Sequence, residues 1–191
     1  MRVGREQARK RQGFTLIELI GTISIIVILA GILAVSFSGV LGDSSGKRAS
    51  TDMVRIQQML EDYKGTFGEY PKEMTVAGLS SMEDILFNAL AGRLAPNGEV
   101  GNFKILIDRN AMEFGSDEFP IVGETPAVLL NAIVDPWGNP YRYRFDPDDE
   151  DWENFNYVLF SAGPDGKYSE VTLAGKKNQS DSKNLDNIYA Q

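Results

Sequence analysis

The segment from Phe14 to Gly42 constrains this chain most, because it is 29 residues of almost uninterrupted apolar sequence. As an α-helix it would extend about 43 Å, more than the hydrocarbon core of a bilayer, about 30 Å. Five basic residues precede it, and the sequence after it is acidic. By the positive-inside rule, we expect a cytoplasmic leader over 1–13, a membrane-spanning helix over 14–42 and one globular domain over 43–191.

One carboxylate, Glu18, interrupts this apolar segment, although a charge inside a bilayer costs several kcal/mol unless it is paired. A plain signal anchor would tolerate Glu18 as a defect near the interface. A cleaved secretory signal would use a small-x-small site at 34–36 or 36–38. Such signals have an apolar region of only about 7–15 residues without a charge, so this second interpretation fits poorly.

A third interpretation follows from the hexapeptide GFTLIE, residues 13–18, which closely resembles the processing site of type IV pilins and of the pseudopilins of type II secretion. The resemblance implies that a prepilin peptidase cuts between Gly13 and Phe14 and methylates the new amine of Phe14. That amine is a cation with which Glu18 of an incoming subunit can pair. Pairing would remove the cost of the buried carboxylate only upon assembly, which gives Glu18 a role.

The composition argues against several functions. After the first 13 residues the chain holds 14 basic and 26 acidic residues, a net charge of −12, and such a surface repels nucleic-acid phosphates. The sequence has no histidine and no cysteine, which removes the commonest general base and any thiol nucleophile. The acidic loop 146–154 lacks the glycine and the final glutamate of an EF-hand. We therefore expect neither an enzyme nor a nucleic-acid-binding protein.

An apolar stripe at helical spacing predicts that the N-terminal helix continues past the span as an amphipathic helix packed on the globular domain. The stripe comprises Ala49, Met53, Ile56, Leu60, Tyr63 and Phe67. Pro71 cannot continue this helix, which should end just before it. A cap at Ser81 predicts a second helix that ends at Gly92.

The C-terminal half reads as strands. Residues 103–107 are predicted to form one strand, and 141–145 and 156–160 to pair as a hairpin after a turn at 135–140. The predicted fold class is α+β, with a long N-terminal α-helix packed on a small antiparallel β-sheet.

Two further stretches, DPWGNPY at 135–141 and YVLFSAGPDG at 157–166, are similar to the major pseudopilin of type II secretion. This resemblance implies a pilin-like fold and a Ca²⁺ ion held by the loop after the last hairpin and by a terminal acidic pair. Asp165 matches the loop, whereas the pair reads Asp186-Asn187, with an amide in place of one acid. An amide oxygen can still bind calcium, and a plain turn beside a surface acid is the alternative.

The resemblance also implies function and partners. The protein would be a single-pass protein of the inner membrane with its C-terminal domain in the periplasm, and a structural subunit that polymerises through its N-terminal helix. Its partners would be prepilin peptidase, further copies, minor pseudopilins and an inner-membrane assembly platform. A type IV pilus subunit, major or minor, and a monomeric membrane-tethered binding domain stay open as alternatives. The segment 72–134 is longer than the family leads us to expect.

Overall fold

The computed structural model describes residues 16–121, 123–171, 175 and 180–190, without the side chains of 32–43. The chain divides into two units, residues 1–43 and 44–191, and each is described by itself. The first contains the beginning of helix α1, which runs Leu16–Phe67. Within the described part of the chain, no helix is long and apolar enough to cross a membrane. Residues 14 and 15 of the predicted span, and the side chains of 32–43, lie outside that part.

In the second unit, the predicted apolar stripe of α1 forms the centre of the core. Ala49, Met53, Ile56, Leu60 and Tyr63 are at most 2% exposed. The helix ends as predicted, because Gly68 adopts φ +88 and its N–H caps the carbonyl of Lys64 at 2.7 Å. Left-handed backbone of this kind is favourable for glycine and terminates a helix.

Helix α2 runs Met82–Leu90, and its N-cap is the predicted Ser81, whose hydroxyl accepts a hydrogen bond from the Asp84 N–H at 3.1 Å. The strand predicted over 103–107 is wrong. This segment forms no strand, and its N–H groups at Phe103 and Leu106 donate to the carbonyls of Gly92 and Leu90. Its backbone therefore pairs with the end of α2 rather than with another strand.

Two small antiparallel sheets complete the unit. Strands β1 (Glu113–Phe114) and β2 (Ile133–Val134) pair with each other. The predicted hairpin is confirmed by β3 (Arg142–Arg144) and β4 (Val158–Ser161), with Tyr143 opposite Leu159. Strand β5 (Ile188–Tyr189), which the sequence did not predict, pairs with the other edge of β4. The α+β class is confirmed.

The three-stranded sheet buries apolar side chains on both faces. Tyr143 and Leu159 pack with α1 in the main core, while Val158 and Phe160 pack with Val171 on the opposite face. The hydroxyl of Tyr143 donates to the Pro71 carbonyl at 2.7 Å. The sheet is thus fixed to the end of α1 on one side and covered by the C-terminal region on the other.

Candidate functional site

The N-terminal site residues are only partly described. Gly13 and Phe14, the predicted cleavage and methylation positions, lie outside the described residues. Glu18 lies in the first turn of α1 and is exposed, beside exposed apolar side chains such as Leu16 and Ile17. The assembly role of Glu18 stays a prediction.

The second predicted site is the loop after β4, and its position depends on a buried turn. Asp135 is fully buried, and its Oδ1 accepts hydrogen bonds from the backbone N–H groups of Trp137 and Asn139 at 3.0 and 2.9 Å. Its Oδ2 accepts from the Ser161 hydroxyl at 2.6 Å. A buried carboxylate needs such donors to offset its lost hydration. The first motif, 135–141, therefore holds the end of β4 in place.

Asn139 links this turn to the loop itself. Its Nδ2 donates to the Gly163 carbonyl at 2.9 Å. A Cβ added to Gly166 would lie 2.8 Å from Asn139 Oδ1, and one added to Gly163 would collide with the Asp186 carbonyl. Both glycines also have positive φ, at which side chains are strained. Gly163 and Gly166, in the stretch 157–166, thus allow the turn, the loop and the C-terminal tail to approach one another closely.

Pairing of β5 with β4 brings the predicted ligands together. Because Ser161 faces Ile188 in the antiparallel register, the tail residues 186 and 187 follow alongside the loop residues 162–165. The Asp165 N–H donates to Asp186 Oδ2 at 3.3 Å. Asp165 and Asp186, 21 positions apart in sequence, therefore lie side by side in the structure.

Asp165 is held by its neighbour Lys167. The Lys167 backbone N–H donates to Asp165 Oδ1 at 2.8 Å, and its ammonium group lies 3.1 Å from Asp165 Oδ2. These contacts, the backbone hydrogen bond first, hold the pKa of Asp165 below its ordinary value. The carboxylate is therefore ionised at neutral pH, as a calcium ligand must be.

Asn187 fits its surroundings in one amide orientation. In it, Nδ2 donates to the carbonyl oxygens of Ala162 and Lys167 at 3.2 and 3.1 Å, whereas the reverse orientation would turn Oδ1 toward these two acceptors. The amide therefore joins the tail to the loop by hydrogen bonds. A bound cation would instead meet the two carbonyl oxygens and, with the amide reversed, Asn187 Oδ1.

These oxygens fit calcium rather than a transition metal. No cluster of three or more His, Cys, Asp or Glu exists within the described part of the chain, so carboxylates alone could not form a site there. Calcium, however, also accepts backbone and amide carbonyl oxygens. The carbonyls of Ala162 and Lys167 were not predicted from the sequence, since every residue carries such a group and only the fold selects these two.

Comparison with known proteins places the chain in a family. A family model described as the prokaryotic N-terminal methylation motif matches residues 8–34. The type II secretion system core protein G of Escherichia coli is 30% identical over 158 residues, which cover 83% of this chain and 85% of that protein. The chain belongs to the type II secretion system core protein G family. Core protein G of Pseudomonas aeruginosa is 27% identical over 181 residues, or 95% of this chain and 99% of that protein. No solved structure matches significantly.

Membership of the core protein G family confirms the resemblance to the major pseudopilins of type II secretion. The methylation motif found in the sequence is also confirmed. The individual roles of Gly13, Phe14 and Glu18, and the calcium ligands Asp165, Asp186 and Asn187, stay predictions.

Proposed function

We propose that this protein is a structural subunit of the pseudopilus of type II secretion. The observation that carries the proposal is its relationship to core protein G, at 30% identity over 83% of the chain. The methylation motif at 8–34 supports it. A type IV pilus subunit would share that motif, but the similarity to core protein G extends far beyond it. The role is structural rather than catalytic.

Before assembly, the N-terminal helix anchors the subunit in the inner membrane, with residues 1–13 in the cytoplasm and the C-terminal domain in the periplasm. Leu16 and Ile17 are 75% and 78% exposed, and transferring such side chains from water to lipid is favourable by about 25 cal/mol per Å². The five basic residues of the leader support this orientation.

Assembly depends on the order of two steps at the N-terminus. Prepilin peptidase first cuts between Gly13 and Phe14, and the methylated Phe14 amine gives the helix a positive end. Glu18 of the next subunit then pairs with that amine, which offsets the cost of a carboxylate in lipid. The further partners are the assembly platform, other copies of the chain and the minor pseudopilins.

Processing and crosslinking together test this order. Mature protein should begin with methylated Phe14 by mass spectrometry. Glu18→Ala should be cut normally but give at least about tenfold less crosslinked oligomer in the envelope, since it cannot pair with the amine. Glu99→Ala, which removes an exposed acid of the second unit, should assemble like wild type. Equal oligomer from Glu18→Ala, or assembly of uncut chains, would contradict the proposal.

We also propose that the loop after β4 binds calcium. Asp165, Asp186 and the Asn187 amide oxygen would hold the ion, with the carbonyls of Ala162 and Lys167 as further ligands. The support for this site is the close approach of Asp165 to Asp186 and the position of the Ala162 and Lys167 carbonyl oxygens beside the Asn187 amide. A bound calcium ion would neutralise both carboxylates and link the tail to the loop.

A further inference from the structure

Arg93, which follows helix α2, is a buried cation. It is 5% exposed, and its guanidinium donates to the Asn102 side-chain oxygen and, at 3.0 Å, to the Ile121 carbonyl. Both acceptors are neutral. No carboxylate among the described residues forms an ion pair with Arg93. A buried charge in this state is costly, because neutral acceptors replace only part of its hydration.

A cavity of about 410 Å³ opens beside Arg93. Its volume lies within the range of small-molecule sites, about 300–1,000 Å³. Much of its wall is apolar, formed by Phe119, Pro120, Ile121, Ala127 and Leu129. A second arginine, Arg109, also lines it and stacks on the Phe119 ring at 4.4 Å. The cavity therefore combines an apolar body with guanidinium groups.

Hydrogen bonds hold the walls in place. Asn131, which is 4% exposed, donates to the carbonyls of Ser116 and Glu118 at 3.1 and 2.8 Å. Asn88 of α2 exchanges two hydrogen bonds with the backbone of Leu129, at 2.8 and 2.9 Å. Because these amides are buried and satisfied, the cavity is preformed, which lowers the entropy cost of binding.

We propose that this cavity binds a single carboxylate carried on an apolar group, with Arg93 as its anion-binding residue. A carboxylate matches the planar donors of guanidinium in charge and geometry. Three acids, Asp117, Glu118 and Glu124, also line the cavity but are exposed, and none forms an ion pair with Arg93 or Arg109 among the described residues. They repel every anion, and most strongly those with several negative charges, so among anions the site favours a monocarboxylate. This proposal is independent of the pseudopilus role.

Benzoate and its neutral isostere benzamide test the charge requirement. Full-length ¹⁵N-labelled protein in detergent micelles is titrated with each, and the amide signals of Glu118, Phe119 and Ile121 are followed. Benzoate should shift them saturably with a roughly millimolar Kd, and benzamide should bind at least about tenfold more weakly. Equal binding of the two compounds, or no saturable shift with benzoate, would overturn the proposal without any variant.

Arg93→Gln should lose the preference for benzoate over benzamide, whereas Lys104→Gln, an exposed residue outside the cavity, should keep it. If Arg93→Gln does not fold, Arg93→Lys replaces it and should weaken benzoate at least about tenfold, since the fork geometry is lost. Benzoate binding that is unchanged in a folded Arg93 variant would overturn the proposal.

The carboxylate can come from a neighbouring copy of the chain or from a free organic acid, and crosslinking distinguishes them. A photoreactive residue is placed at Thr125, an exposed position of the cavity. If a neighbouring copy supplies the carboxylate, this residue should crosslink to that copy, and benzoate should reduce the crosslink. If a free organic acid supplies it, the chain should not crosslink to itself at this position. A self-crosslink that persists in excess benzoate would show that a chain occupies the cavity without using Arg93, and would overturn the proposal.

Discussion

Asn187 occupies a position where the family resemblance implies an acid, and the substitution has a physical consequence. An amide can donate to the Ala162 and Lys167 carbonyls when no cation is present, whereas an ionised carboxylate has no proton to donate. The loop and tail of this protein can therefore remain joined without calcium. The same substitution removes one negative charge from the proposed site and lowers its affinity.

Asn187→Asp should bind calcium about tenfold more tightly than wild type, because it adds a charge next to the ion. When a chelator removes calcium, the variant should also be less stable than wild type. Its carboxylate then faces the carbonyl oxygens of Ala162 and Lys167 without a proton to donate to them. Isothermal titration and thermal unfolding measure the two effects. Asn156→Asp, at an exposed position, should change neither. Equal affinity in Asn187→Asp and wild type, or no calcium binding by either, would contradict the calcium proposal.

Asp52 on α1 shows how burial can oppose an ion pair. It is 3% exposed, and its carboxylate lies 3.0 Å from Arg55 and 3.9 Å from Arg48. Desolvation raises the pKa of Asp52 above its ordinary value of 3.8, although both arginines act to lower it. Since the folded-state pKa is raised, the stability that this group contributes is complete below that ordinary value. It is lost as the pH rises through the folded-state pKa.

Asp52→Asn should therefore gain stability relative to wild type as the pH rises from about 3.5 to about 6. Urea unfolding followed by the fluorescence of Trp137 and Trp152, both in the second unit, measures this difference at each pH. Asp62→Asn, an exposed acid on the same helix, is the control and should show no comparable trend. A difference that stays flat or falls with pH would contradict the raised pKa.

At the scale of elements, β5 depends on a glycine in another part of the chain. Gly163 has φ +68, and a side chain there would collide with the Asp186 carbonyl just before β5. The register Ser161 to Ile188 and the bond from the Ala190 N–H to the Leu159 carbonyl, 3.0 Å, place β5 on β4. A side chain at position 163 should therefore weaken the pairing of β4 with β5.

Gly163→Ala should lower the free energy of unfolding by about 2–4 kcal/mol, because backbone strain adds to the collision. Gly138→Ala is a matched control, since Gly138 has φ +88 but no atom within 4 Å of an added Cβ. It should cost only about 1 kcal/mol. Urea unfolding measures both, and hydrogen exchange at Ala190 should accelerate in Gly163→Ala. Equal losses in the two variants would show that the close approach to Asp186 is unimportant.

The elements that the sequence predicted have an apolar pattern that repeats over several residues, as in α1 and the β3–β4 hairpin, or a strong cap, as in α2. The stripe from Ala49 to Phe67 repeats over several turns, and α2 begins at a serine cap. Strands β1, β2 and β5 have two residues each, too few to show alternation, and their pairing is decided by distant segments. Residues 103–107 have the composition of a strand, but the end of α2 takes their hydrogen bonds.

The candidate sites also contain some residues that the sequence predicted and others that it did not. Asp165 and Asp186 were predicted through a family resemblance, and the structure brings them together. The carbonyls of Ala162 and Lys167 have no sequence signal. Arg93 had none either, because the residues that surround an arginine in space are known only from the fold.

At the scale of the whole molecule, the charge distribution accords with a subunit built for two environments. Five of the 19 basic residues lie in the first 13 positions, before the apolar segment, while the remaining chain carries a net charge of −12. A strongly acidic domain stays soluble and repels non-specific association. General attraction between such domains is therefore weak, which is consistent with the proposed assembly through defined contacts such as the Glu18 pair.

The central claim is the pseudopilus role, and the secreted proteome of a clean deletion strain tests it most directly. Surface piliation and transformation are scored in the same strain, with the wild-type gene and Glu18→Ala supplied in trans. Our account predicts that specific extracellular proteins are lost while pili and transformation remain, and that only the wild-type gene restores secretion. Normal secretion with lost fibres or DNA uptake would contradict it and indicate a type IV pilus subunit instead.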